Sequence, residues 1–142
     1  MSLVRSYRDL TVWTAAVELC VEVYRATEAF PKTEMYGLCQ QLRRAAVSVA
    51  SNIAEGHQRN TTTDYIRFCH LALGSTGEID TQLEISFRLK YLTPEGYAAL
   101  NVQLVEIRKM LMAMIKSLEA RRDLDGKVRE PDIPYGAVPD RP

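Results

Sequence analysis

Arg43, Arg44, Arg59, Arg67, Arg88 and Lys90 are the side chains of this sequence best suited to meet a charged partner. Guanidinium and ammonium groups neutralise phosphates, and each neutralised phosphate releases counterions that favour binding. Between residues 36 and 77 the only acids are Glu55 and Asp64, set against Arg43, Arg44, Arg59 and Arg67. That stretch is locally basic in a chain whose 18 Lys and Arg residues balance 18 Asp and Glu. A neutral total excludes a protein that coats nucleic acid over its whole surface, so any phosphate contact must come from a local patch. Arg43 and Arg44 are adjacent, and on a helix they diverge by about 100°, so they cannot face one partner equally. One of them is free to close a salt bridge with a neighbouring subunit. Scattered arginines equally suit a solvated surface with local ion pairs, each worth little. Aromatic residues are few outside the expected core, so binding here would tolerate many sequences.

Two further polar residues stand apart. Asn52 lies beside an apolar helical seam, where asparagine is a poor helix former. It either fixes helix register through a buried hydrogen bond or presents an amide to a ligand near the end of the fold. Glu55 opposes the dipole of a helix C-terminus and so calls for a cation. Arg43, Arg59 or an arginine of a neighbouring subunit would serve.

Catalytic and metal chemistry find little support. A di-iron carboxylate bundle needs Glu-x-x-His on two helices, and neither His57 nor His70 follows a glutamate by three residues. Glu55 and His57 are two apart and point about 200° apart on a helix. Cys69 and His70 are adjacent and face different ways, and no Gly-x-Ser-x-Gly elbow or glycine-rich phosphate loop occurs. Catalytic residues, metals and cofactors are therefore expected to be none. Cys20, Cys39 and Cys69 match neither zinc spacing nor a disulfide framework and suit buried free thiols. No apolar run nears the ~18 residues of a membrane span, and the N-terminus lacks a signal-peptide core, which points to the cytoplasm and no membrane.

The elements that must position these residues are helical. A chain of 142 residues with 46% hydrophobic and 25% charged residues suits one globular domain. Leu10, Trp13, Val17, Cys20 and Tyr24 trace a seam for a first helix over Thr11 to Glu28, ended by Phe30-Pro31. Thr33 is placed to N-cap a second helix, with Glu34 in its first turn. That helix carries Leu38, Leu42, Ala45, Val49 and Ile53 on one face, amid small residues that permit close approach. Gly56 would stop it in a left-handed turn. Thr61 and Asp64 fit a capping box for a third helix, Thr62 to Leu89, with Tyr65, Phe68, Ala72, Ser75, Ile79 and Leu83 or Ser86 as its seam. Its glycines, Gly74 and Gly77, favour a close helix crossing over a bend.

Thr93-Pro94-Glu95 restarts the chain as a fourth helix, with Leu100, Leu104, Ile107, Leu111, Met114 and Leu118 as a heptad seam. A second apolar line, Val105, Met112 and Ile115, suits either a subunit interface or a broad core face. From Gly126 onward prolines and charges show no core pattern. The expected organisation is an all-α, up-down-up-down antiparallel four-helix bundle over residues 1–122, then a Pro-rich disordered tail over 123–142.

RRAAVSVASNIAEG and DYIRFCHLALGSTGEIDTQLEISFRLKYL resemble the four-helix-bundle family of 23S rRNA intervening-sequence proteins. Together with RDLTVWTAAVELCVEVYRATEAFP, the resemblance spans about residues 8–118. The accessory proteins of diversity-generating retroelements are similar. The resemblance implies a non-enzymatic accessory protein that closes into a ring of five copies. Its implied partner is structured RNA or a nucleic-acid-associated protein. The alternative is a homo-oligomeric scaffold that docks another protein and touches no nucleic acid.

Overall fold

A computed structural model describes residues 4–129. It contains four long helices, α1 (Thr11–Thr27), α2 (Leu38–His57), α3 (Thr62–Arg88) and α4 (Pro94–Arg129), with single 3-10 turns at Tyr7–Asp9 and Lys32–Glu34. Each helix packs on its neighbour in sequence, and α4 closes on α1, while the diagonal pairs make no close backbone approach. This is the expected antiparallel up-down-up-down bundle. No strand occurs among the described residues.

Helix ends follow local chemistry. Thr93 caps α4 by accepting a hydrogen bond from the Gly96 amide at 3.0 Å, and Pro94 takes the first helical position, where its missing N–H costs nothing. At α3, Thr61 Oγ1 accepts from the Asp64 amide at 3.1 Å. The reciprocal half of the expected capping box is absent, because the Asp64 carboxylate pairs with arginines instead. Thr33 does not cap α2. It falls in the 3-10 turn, and Glu34 Oε2 takes over, accepting from the Leu38 amide at 3.0 Å. A carboxylate at that helix start also complements the dipole.

The core runs along the bundle axis through Leu19, Leu42, Ile53, Ile79, Leu83, Leu104, Ile107 and Leu111, all fully buried. A second cluster of Ile66, Cys69, Ile115 and Leu118 seals the end nearest the α2–α3 turn. Burying these branched side chains stabilises the fold by roughly 1.5–3 kcal/mol each, before the entropy of ordering them.

Three face assignments need correction. The line of α1 that enters the core is Val12, Ala16, Leu19, Val23 and Thr27, not the Trp13–Val17–Cys20–Tyr24 line. Ala16 and Thr27 are small enough to let α1 sit close, which leaves the bulkier line on the flank and Cys20 only half-buried. The Tyr7 ring and Arg8 guanidinium cover Trp13, with centres 5.2 and 5.3 Å away. On α4, Ile115 rather than Met114 completes the buried line. Ile115 therefore belongs to the second core cluster and leaves the candidate interface. Finally, Gly74 and Gly77 do not mark a close crossing. A Cβ on Gly74 would meet nothing within 4 Å, and one on Gly77 would meet only Arg108 Nη1 at 3.8 Å. Ser75 and Thr76 are the buried residues of that turn.

Helix α4 continues past residue 122 to Arg129. The rest of the expected tail, 130–142, lies outside the described residues.

Candidate nucleic-acid interface

The six basic candidates separate into three places. Arg67 and Arg88 sit near opposite ends of α3, about 30 Å apart at 1.5 Å rise per residue. Arg59 and Arg67 share the end beside the α2–α3 turn, Arg88 and Lys90 share the other, and Arg43 and Arg44 lie in the first half of α2.

Most of these charges are spent within the chain. Arg59 Nη2 lies 2.9 Å from Glu55 Oε1, and its Nε is 3.6 Å from Asp64 Oδ2. Glu55 thus finds the cation that its place near the α2 C-terminus requires. Arg67 Nη2 lies 2.9 Å from Asp64 Oδ1. Both guanidinium carbons also stand 4.5 Å from the centre of the buried Phe68 ring, a cation–π arrangement that helps roof that end of the bundle. Arg88 Nε lies 3.0 Å from Glu84 Oε2. The Arg88 hydrogen bond, followed by that of the Tyr97 hydroxyl, holds the Glu84 carboxyl below the usual carboxylate range. Lys90 is exposed, and its backbone is left-handed at φ 64°. It ends α3: the Lys90 amide donates to Phe87 O and the Tyr91 amide to Ser86 O, both at 2.9 Å.

Arg43 and Arg44 differ from these and from each other. Half-buried Arg43 bridges to α1, its Nε donating to Thr27 Oγ1 at 2.9 Å and its Nη2 to Tyr24 O at 3.2 Å. Its guanidinium carbon stands 4.6 Å from the Tyr24 ring centre. Arg44 is exposed and, among the described residues, has no carboxylate within salt-bridge distance. It borders two depressions at once. One is a groove of about 480 Å³ at the start of α2, lined by Tyr24, Met35, Tyr36, Arg43 and Val47 over buried Cys39. The other is a polar cleft of about 430 Å³ between α2 and α3, lined by Gln41, Ser48, Ser75, Glu78 and Gln82.

Asn52 takes the structural role. Its Nδ2 donates to Ser48 O at 2.9 Å and Ser48 Oγ at 3.0 Å, and Ser48 Oγ shares a 2.8 Å hydrogen bond with Ser75 Oγ on α3. The amide thereby ties α2 to α3 just below the polar cleft. Of the candidate interface residues on α4, Val105 is 42% and Met112 58% exposed, whereas Ile115 is 6% exposed. No group of three His, Cys, Asp or Glu gathers as metal ligands among the described residues, and no described helix is long and apolar enough to cross a membrane.

Sequence reasoning missed Tyr24 and Tyr36 as surface groups. Tyr24 is 42% and Tyr36 86% exposed, so the aromatic surface beside the arginine pair is larger than expected. The signal was Tyr36 itself, an aromatic between Met35 and Gly37 with no helical seam to fill.

The sequence model of the family described as 23S rRNA-intervening sequence protein matches residues 8–113. A similar solved structure is the crystal structure of a protein with unknown function from the S23 ribosomal protein family of Bacteroides thetaiotaomicron VPI-5482. It is 28% identical, with a TM-score of 0.68, and the match covers 75% of this chain and 99% of that one. Among curated proteins, none matches.

Proposed function

Since the chain belongs to the 23S rRNA-intervening sequence protein family, we propose that it is a non-enzymatic accessory protein that assembles into a ring of like copies and binds structured RNA. The observation that carries this reading is the contrast between Arg44 and the paired arginines. Arg59, Arg67 and Arg88 each have a carboxylate within 3.0 Å, while Arg44 has none among the described residues. A closed ring would repeat that unneutralised charge once per subunit and raise the local potential although each chain is neutral. Ring closure requires two different, complementary surfaces on each copy. Exposed Val105 and Met112 on α4 supply an apolar candidate for one of them.

The same exposed apolar residues favour a second reading, a homo-oligomeric scaffold that docks another protein without nucleic acid. One paired measurement separates the two. Light scattering on the purified chain at micromolar concentration is expected to give a closed oligomer, with five copies as the leading size. Fluorescence anisotropy with a structured RNA is expected to show binding at low salt that weakens linearly in log–log form as salt rises. A monomer overturns the ring. An intact ring with no RNA binding at low salt leaves the scaffold.

A further inference from the structure

We infer that the two depressions meeting at Arg44 form a seat for an unpaired stretch of RNA, one nucleotide in each, with the connecting phosphate on Arg44. The inference rests on the RNA-binding reading above and assigns it a surface and a substrate class. The groove at the start of α2 carries two guanidinium groups and two tyrosines, and no carboxylate among the described residues lines it. A polyanion with flat bases complements that combination, because stacking supplies affinity that any base can earn while the cations hold the backbone. An acidic helix would meet the charge but leave the exposed tyrosine faces without flat partners. Tyr24 is preorganised for the task. The Arg43 guanidinium rests over one face of its ring, 4.6 Å from the centre, and is itself anchored by Thr27 Oγ1 at 2.9 Å, so the ring is held in place from that side. Tyr36, 86% exposed in the turn before α2, stands at the same groove as a second aromatic face.

The polar cleft on the other side of Arg44 points to a ligand independently. Gln82 Oε1 is buried there and has no hydrogen-bond partner, alone in this among the described residues. A buried acceptor left unpaired is costly, so turning the Gln82 amide toward the cleft to meet a donor brought by a ligand is favoured. The exocyclic amino groups of adenine, cytosine and guanine are such donors. The Glu78 carboxylate, which has no salt bridge in the described residues, lines the same cleft and accepts from the same groups. Uracil offers only its ring N–H, so adenine- and cytosine-containing strands are expected to bind better than oligouridine.

The test uses the full chain and three probes: an A-rich single-stranded RNA octamer, an oligouridine octamer and a blunt two-stranded RNA duplex. Anisotropy is read at low salt, with light scattering on every variant. Wild type is expected to prefer the A-rich strand over both others. Tyr36→Ala is expected to weaken its binding about 5- to 150-fold, the range of one lost base stack, and Tyr36→Phe to retain it. Such an exposed residue places little of the fold at risk. Gln82→Leu is expected to erase the preference for the A-rich strand over oligouridine. Equal binding of duplex and single strands, or Tyr36→Ala binding like wild type, overturns the stacking seat while leaving general RNA binding intact. A change of oligomeric state in Tyr36→Ala also overturns it, since the groove would then be an interface between copies. Absence of binding by wild type to all three RNAs defeats the RNA reading as a whole.

Discussion

Gly56 on α2 and Phe68 on α3 approach so closely that a Cβ on Gly56 would fall 2.8 Å from the Phe68 Cβ and 3.0 Å from Tyr65 Cδ1. The helix does not stop there. It continues to His57, and Gln58 closes it with right-handed backbone at φ −87°. Gly56 is required for contact rather than for a left-handed turn. Gly56→Ala is therefore expected to destabilise the chain by about 1–3 kcal/mol through overpacking, although alanine is the better helix former. A chemical denaturation midpoint equal to or above wild type would show that α3 can move away freely.

The position that does need glycine-like freedom holds a lysine. Lys90 sits at φ 64° just beyond the end of α3, a conformation that strains a side chain with a Cβ. Lys90→Gly is expected to raise stability by about 1 kcal/mol, seen as a melting temperature a few degrees higher. Loss of stability would mean that the lysine side chain makes a contact worth more than the strain.

These two residues show where sequence patterns carry and where they stop. The number, order and rough limits of the helices were legible, because Phe30-Pro31, Thr61 and Thr93-Pro94 act within a few residues of themselves. The facing of α1 was not. Trp13, Val17, Cys20 and Tyr24 form a good apolar line, and only the tertiary packing of Ala16 and Thr27 against neighbours decides that the adjacent line goes inside. The same limit applies to Ile115, one residue from the expected seam, and to the arginines. Position offered Arg59 as one of three possible cations for Glu55, but the exposed aromatic groove next to Arg44 depends on a turn and on two helices meeting.

Ring assembly through α4 has a direct test. Val105 and Met112 are 42% and 58% exposed, so charge there is accepted by the isolated subunit. Val105→Glu with Met112→Glu is expected to shift the light-scattering mass toward monomer while the far-ultraviolet circular dichroism stays helical. An unchanged oligomer would place the interface on another face. Ile115→Glu is expected to behave differently and unfold the end of the bundle, because it buries a charge beside Ile66 and Leu118.

Alkaline pH should probe the sealed end of the bundle. Burial pushes the Cys69 thiol up from 9.0 to about 11, and its Sγ lies 3.8 Å from Met114 Sδ. The folded chain therefore keeps the proton that the unfolded chain gives up. Stability from this group is complete below pH 9 and is lost as pH rises through about 11. Denaturation midpoints measured from neutral pH to pH 10.5 are expected to fall, and to fall less steeply in Cys69→Ala. Equal slopes in the two proteins would show that Cys69 titrates in the folded state as it does in the open chain.

The arginines themselves are expected to divide by function. Arg44 has no carboxylate partner among the described residues, so Arg44→Gln is expected to remove a phosphate contact and little else. The salt slope of RNA binding should fall by about one, with melting unchanged. Arg59 pairs with Glu55 at 2.9 Å and covers Phe68 at 4.5 Å. Arg59→Gln should leave the slope near its wild-type value and lower stability instead, by under about 1 kcal/mol for a largely exposed pair. The double variant should then lose one unit of slope rather than two. A loss of two would mean that RNA pulls Arg59 away from Glu55 and Asp64, making the end of the bundle part of the binding surface. No change in slope for Arg44→Gln would remove Arg44 from the interface altogether.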